Sequence, residues 1–174
     1  MMIYLKRVLV FLALTVASVW LQGSVIRSVF SDTAIVPNIP LILVVFLSFF
    51  EVSPFGAVLA FAIGFEFDMF SGIRIGPWAG TFVLLFGVIA CFAQRIFVES
   101  GPAVAVAAFV SSLLGSLVYL LFTYEIRPFT GGLVWQILVE AIFTGIIAPF
   151  VFKLLKWVIY RREQVSGRMA GQLV

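Results

Sequence analysis

The sequence predicts an all-α, polytopic integral membrane protein, a bundle of about six transmembrane helices with both termini in the cytoplasm. Three observations predict it. First, of 174 residues 63% are hydrophobic and only 11% charged, and the mean hydropathy is +1.21. A soluble domain of this length has too little interior to hide that much apolar surface, whereas a bilayer is itself an apolar solvent. Second, the apolar residues fall into segments near the ~20 residues that a helix needs to cross ~30 Å of hydrocarbon at ~1.5 Å per residue. Third, the basic residues are unevenly placed. With the N-terminus inside, Lys6, Arg7, Arg95, Lys153, Lys156, Arg161, Arg162 and Arg168 lie on the cytoplasmic side and Arg27, Arg74 and Arg127 outside. That asymmetry obeys the positive-inside rule. Five spans would put the largest basic cluster outside, so six are expected.

The spans follow in order. The first covers 8–26. Lys6 and Arg7 precede it as in a signal peptide, but the run is long for one and no small-x-small cleavage site follows, so it reads as an uncleaved helix. The second, 35–50, is short. Pro37, Asn38 and Pro40 at its start set an extended or first-turn geometry. Glu51-Val52-Ser53-Pro54 makes a tight turn into the third, 55–70, and Ser71 to Pro77 forms the next loop. The fourth covers 78–93. Ser100 is placed to cap the fifth, 103–122. The sixth, 133–159, is long, with Pro149 as a kink site. Residues 161–174 are polar and read as a mobile cytoplasmic tail. The chain, 1–174, is thus expected to be a single transmembrane domain. Trp20, Trp78, Trp135, Trp157 and Tyr160 fall near span ends, where interfacial aromatics belong.

The chemistry-bearing residues are few. There is no histidine, which removes the commonest general base and metal ligand. Cys91 stands alone in an apolar run and is expected to be buried. No HExxH, GxSxG or phosphate-loop motif is present. An enzymatic role, a cofactor or a nucleic-acid partner is not expected. What remains is two kinds of pattern. Small residues recur four apart: Gly56, Ala60, Gly64, Asp68, Gly72 and Gly76 in the third span, and Ala103, Ala107, Ser111 and Gly115 beside Ala108, Ser112 and Ser116 in the fifth. Such rows let helix backbones approach closely in lipid, either within the bundle or against a partner. Ala13 and Ala17 make a shorter row in the first span.

The second pattern is acidic. Glu66, Asp68 and Glu140 lie within predicted spans, where charge is costly. Counting ~1.5 Å per residue, all three fall in the outer half of the membrane. Gln136, Glu140 and Thr144 are four apart and form a polar stripe, so with Glu66 they predict an outer-leaflet polar cleft. Asp68 fits either a helix cap or an ion pair with Arg74. Glu140 fits an interhelical hydrogen bond. Glu66 and Asp68 point to different sides of one helix and make a poor acid–base pair.

Pro37-Asn38 before a short apolar span, followed by Gly64-Phe65-Glu66-Phe67-Asp68-Met69-Phe70-Ser71-Gly72-Ile73-Arg74-Ile75-Gly76, resembles the rod shape-determining protein MreD family of bacteria. The family pattern is a glycine-rich span ending in an aspartate, then Ser-Gly, then a further glycine. The matching positions are Gly64, Asp68, Ser71, Gly72 and Gly76, while Pro77 stands where an ordinary helix former is expected. The resemblance implies a non-enzymatic scaffold or regulator in the bacterial inner membrane, acting in lateral cell-wall elongation and rod shape. It implies binding to MreC, a single-span protein, and through it to the MreB filament and to RodA with its penicillin-binding partner. The five motif residues are then expected to shape a partner-binding helix end. A second candidate is the substrate-binding S component of an energy-coupling-factor vitamin transporter. Such proteins also have six spans, and some use a small-x-x-x-small row on the first helix, as Ala13 and Ala17 would supply.

Overall fold

The computed structural model describes residues 11, 13–20, 36–71, 75–93, 100–123 and 131–170, with side chains of the last helix as far as Val158. The described chain is all helical. Helical residues 13–20 form α1. Then come α2, Ile39–Phe50, α3, Pro54–Ser71, α4, Pro77–Ala93, α5, Gly101–Thr123, and α6, Gly131–Ala170. Gly72, Arg74 and the other loop arginines, Arg27, Arg95 and Arg127, lie outside the described residues.

Local chemistry sets the helix ends. Asn38 caps α2, its Oδ1 accepting from the Leu41 amide at 3.1 Å, and Pro40 occupies the first turn, where a missing N–H costs nothing. At the other end the Glu51 amide closes onto Leu47 O at 2.8 Å. Ser53 then caps α3, its Oγ accepting from the Gly56 amide at 3.2 Å with Pro54 next in line. Gly76, at φ +120°, turns the chain into Pro77 and α4, a conformation that an L side chain resists. The Val104 amide bonds to Ser100 O at 3.2 Å at the start of α5.

α2 is the axis of the bundle. It packs against α3, α4, α5 and α6, and α1 joins it through Phe11 and Phe46, whose rings lie 6.4 Å apart. Every residue from Pro40 to Ser48 is buried. A helix apolar on all sides belongs in such a place. The two most extensive helix pairings are the α3–α4 and α5–α6 hairpins, which flank it. The small-residue rows are consumed in these contacts. Gly56, Ala60, Gly64 and Asp68 are buried along α3, and Ala108, Ser111, Ser112 and Gly115 along α5. At Gly145 of α6 a Cβ would lie 3.0 Å from Ala105 O and 3.2 Å from Phe109 Cβ, so α5 and α6 cross there in close contact.

Three expectations change. The second helix starts at Ile39 rather than 35, because Pro37 and the Asn38 cap hold the chain outside the helix until then. Cys91 is exposed. The core-facing stripe of α4 runs through Phe82, Phe86, Ile89 and Ala90, and the thiol falls on the other side. The backbone of α6 stays helical to Ala170, across most of the segment expected to be a mobile tail. That segment has no proline after Pro149 and several good helix formers.

Candidate functional site

Two buried polar constellations stand out, each built where a helix begins inside the bundle. The first is the α3–α4 hairpin. Asp68 sits near the end of α3 with 1% of its surface exposed. Its Oδ2 accepts from the amides of Gly76 at 2.9 Å and Ala79 at 3.0 Å, and its Oδ1 from the amide of Trp78 at 3.1 Å. The carboxylate therefore collects donors at the start of α4 that the helix itself cannot pair, and its charge matches the positive end of that helix. Of the two roles open to Asp68, capping is the one the described residues display.

Gly64 lies one turn before Asp68. A Cβ there would come within 2.6 Å of both Ala79 Cα and Trp78 O, which are backbone atoms of α4 and cannot rotate away. Gly64 thus sets the close approach that lets Asp68 reach over the start of α4. Trp78 closes the arrangement. Its ring stacks on Tyr119 of α5 at 4.4 Å and meets Phe67 edge-on at 5.0 Å. Gly64, Asp68 and Gly76 are accordingly three parts of one corner. Ser71 ends α3 beside it. Gly64→Ala is expected to cost about 2 kcal/mol, the scale of overpacking against an unyielding neighbour, read as a lowered thermal midpoint in detergent.

The second constellation is the start of α2. Asn38 is 3% exposed and Thr144 of α6 is fully buried. The Asn38 amide donates to Thr144 Oγ1 at 3.1 Å, and that hydroxyl donates to Glu140 O at 2.7 Å. The Asn38 side chain also faces the Glu140 carboxyl. One asparagine thereby caps its own helix and ties it to α6 across 106 residues of sequence.

The tie fixes a register. α2 and α6 run side by side, from Asn38 at Thr144 to Phe50 beside Phe152 and Lys156, whose ammonium lies 5.0 Å from the Phe50 ring centroid. Thirteen residues of α6, about 20 Å of helix, precede the level at which α2 begins. Nothing in α6 from Gly131 to Glu140 is fully buried.

The four polar positions expected to share a cleft separate. Glu140 and Thr144 join the Asn38 tie, whereas Gln136 is exposed. Glu66 is half-buried on α3, its Oε2 enclosed and without a hydrogen-bond partner. The described hydrogen bonds link neither Gln136 nor Glu66 to the other two. The groove that does open on that part of α5 and α6 is aliphatic, lined by Leu113, Leu117, Leu120, Val134, Ile137 and Leu138. Asn38 was visible in the sequence only as a helix-start residue. Its partnership with Glu140 had no local signal.

Comparison of the chain with protein families, curated proteins and solved structures gave no match.

Proposed function

We propose that the chain is a six-span inner-membrane protein, with both ends in the cytoplasm, that serves as a non-enzymatic scaffold of bacterial cell-wall elongation, resembling MreD. Support for the membrane setting starts with α5 and the stretch Gly131–Val158 of α6, each long and apolar enough to cross a bilayer. It extends to the outward faces of the other helices. Val58, Phe61, Met69 and Phe70 on α3 and Leu84, Val88 and Phe92 on α4 are all exposed. Contiguous apolar surface on that scale is stable in lipid and a liability in water.

The scaffold assignment is carried by the corner that Gly64, Asp68 and Gly76 build. Gly64, Asp68 and Gly76, three of the residues through which the sequence resembles MreD proteins, shape one closely packed hairpin. Packing and capping are what a docking platform needs. In this setting MreC, as a single-span protein, is the direct partner. RodA, its penicillin-binding partner and MreB follow through it.

One observation favours the vitamin-transporter S component as a second reading. Ala13 and Ala17 are exposed on α1 while Thr15, Ser18 and Val19 are buried, so the small-residue row faces outward. Detergent co-purification of the tagged protein from host membranes separates the two. The expected result is recovery of MreC with the wall synthase pair. Recovery of an ATP-driven transport module or a bound vitamin in their place overturns the scaffold assignment.

A further inference from the structure

The outward face of α6 carries Ile146, Phe150, Lys153 and Trp157 at intervals of four, three and four, so they form one stripe along the helix. All four are exposed, and Leu154 beside them is exposed too. Thr144, Ala148, Phe152 and Leu155 on the opposite side are buried against the bundle. Lys153 is therefore a cation set in an apolar, outward-facing surface, and no carboxylate among the described residues pairs with it. Lys156, one turn on, is different. It is half-buried against the bundle and its ammonium lies over the Phe50 ring.

We propose that Lys153, between Phe150 and Trp157, is a binding site for the headgroup of an anionic phospholipid of the cytoplasmic leaflet. The inference rests on the membrane placement proposed above. Trp157 lies where the helix meets the interface. Lys153 sits four residues deeper, about 6 Å of helix. A four-carbon stem is long enough to lie along apolar surface and bring the ammonium back to headgroup level. The anions of fixed supply at that level are lipid phosphates, and a lysine there attracts an anionic surface by about five-fold in affinity. Phe150 and Ile146 continue the stripe toward the bilayer centre, where the acyl chains of the same lipid lie. Charge and apolar surface thus occur in the order in which a phospholipid presents its own.

The test uses the full-length protein and its Lys153→Gln and Lys153→Arg variants. Alkaline carbonate extraction of host membranes comes first. Native mass spectrometry then follows purified protein exchanged into mixed micelles containing phosphatidylglycerol and phosphatidylcholine in equal amounts. All three proteins are expected to stay in the carbonate-washed membrane. Wild type and Lys153→Arg are expected to retain phosphatidylglycerol over phosphatidylcholine, and Lys153→Gln to lose about five-fold of that preference. Release of all three by carbonate overturns the membrane placement and the lipid site with it. Stable insertion with the same lipid preference in Lys153→Gln as in wild type overturns the lipid site alone.

Discussion

Asp68→Leu is expected to lower stability by about 5 kcal/mol, the largest effect of any single substitution in the described hairpin. Three backbone donors, at Gly76, Trp78 and Ala79, converge on this one carboxylate. Hydrogen bonds to a charged acceptor contribute roughly 1.5–3 kcal/mol each, and a buried donor left without a partner costs about 1–3 kcal/mol. The three share one acceptor, so their effects do not simply sum. Leucine fills the volume and accepts nothing, leaving the start of α4 unpaired in an interior closed by Trp78, Phe67 and Phe82.

Asp68→Asn separates capping from ion pairing. Its single carbonyl oxygen can replace Oδ2, which serves Gly76 and Ala79, while its amide nitrogen faces the Trp78 donor. If the cap is what matters, Asn recovers more than half of the loss. If the charge served an ion pair, Asn and Leu would be about equally damaging. Thermal melting in detergent reads the difference. Each kcal/mol moves the midpoint of a chain this size by about 2–4 °C, so the leucine variant should melt roughly 10–20 °C early.

Helix positions were legible in the sequence because prolines and glycines punctuate it. Pro54, Pro77 and the Gly101-Pro102 pair mark helix starts to within a residue or two. The Gly64–Asp68–Gly76 spacing was legible as a unit. Glycine and aspartate have few reasons to recur on one apolar helix other than close approach and capping. The rank of the second span was not legible. A mostly apolar helix of twelve residues looks like a short span, and only packing shows it enclosed by the other helices. The polar stripe of α6 was legible as a stripe but not as to its partner. Periodicity says that Gln136, Glu140 and Thr144 lie near one line. It is silent about an asparagine 106 residues before Thr144 that bonds to one of the three and faces a second. Cys91 failed for a related reason. In a uniformly apolar helix the sequence carries no contrast between the face that meets neighbours and the face that does not.

Asn38→Leu is expected to cost about 4 kcal/mol, and the cost should shrink when Glu140 is removed as well. The single change deletes the cap of α2, which is worth about 1 kcal/mol. It also takes away the polar amide that faces the Glu140 carboxyl inside the bundle. Thr144→Val, which keeps shape but removes the acceptor of the Asn38 amide at 3.1 Å, should cost about 2 kcal/mol. The informative comparison is the double variant Asn38→Leu/Glu140→Leu. Replacing both members of a buried hydrogen-bonded pair with apolar groups is far less costly than orphaning one of them. The double variant should therefore be no less stable than Asn38→Leu alone, a coupling of at least about 1 kcal/mol in a double-mutant cycle. Strictly additive costs would mean that Glu140 faces an open polar cleft, as its spacing with Gln136 first implied, and finds other partners when Asn38 is gone. Coupling instead makes Glu140 part of the joint that holds the start of α2 at one level of α6. The bundle's central helix is then pinned at both ends, by Asn38 at Thr144 and by Phe50 beneath Lys156.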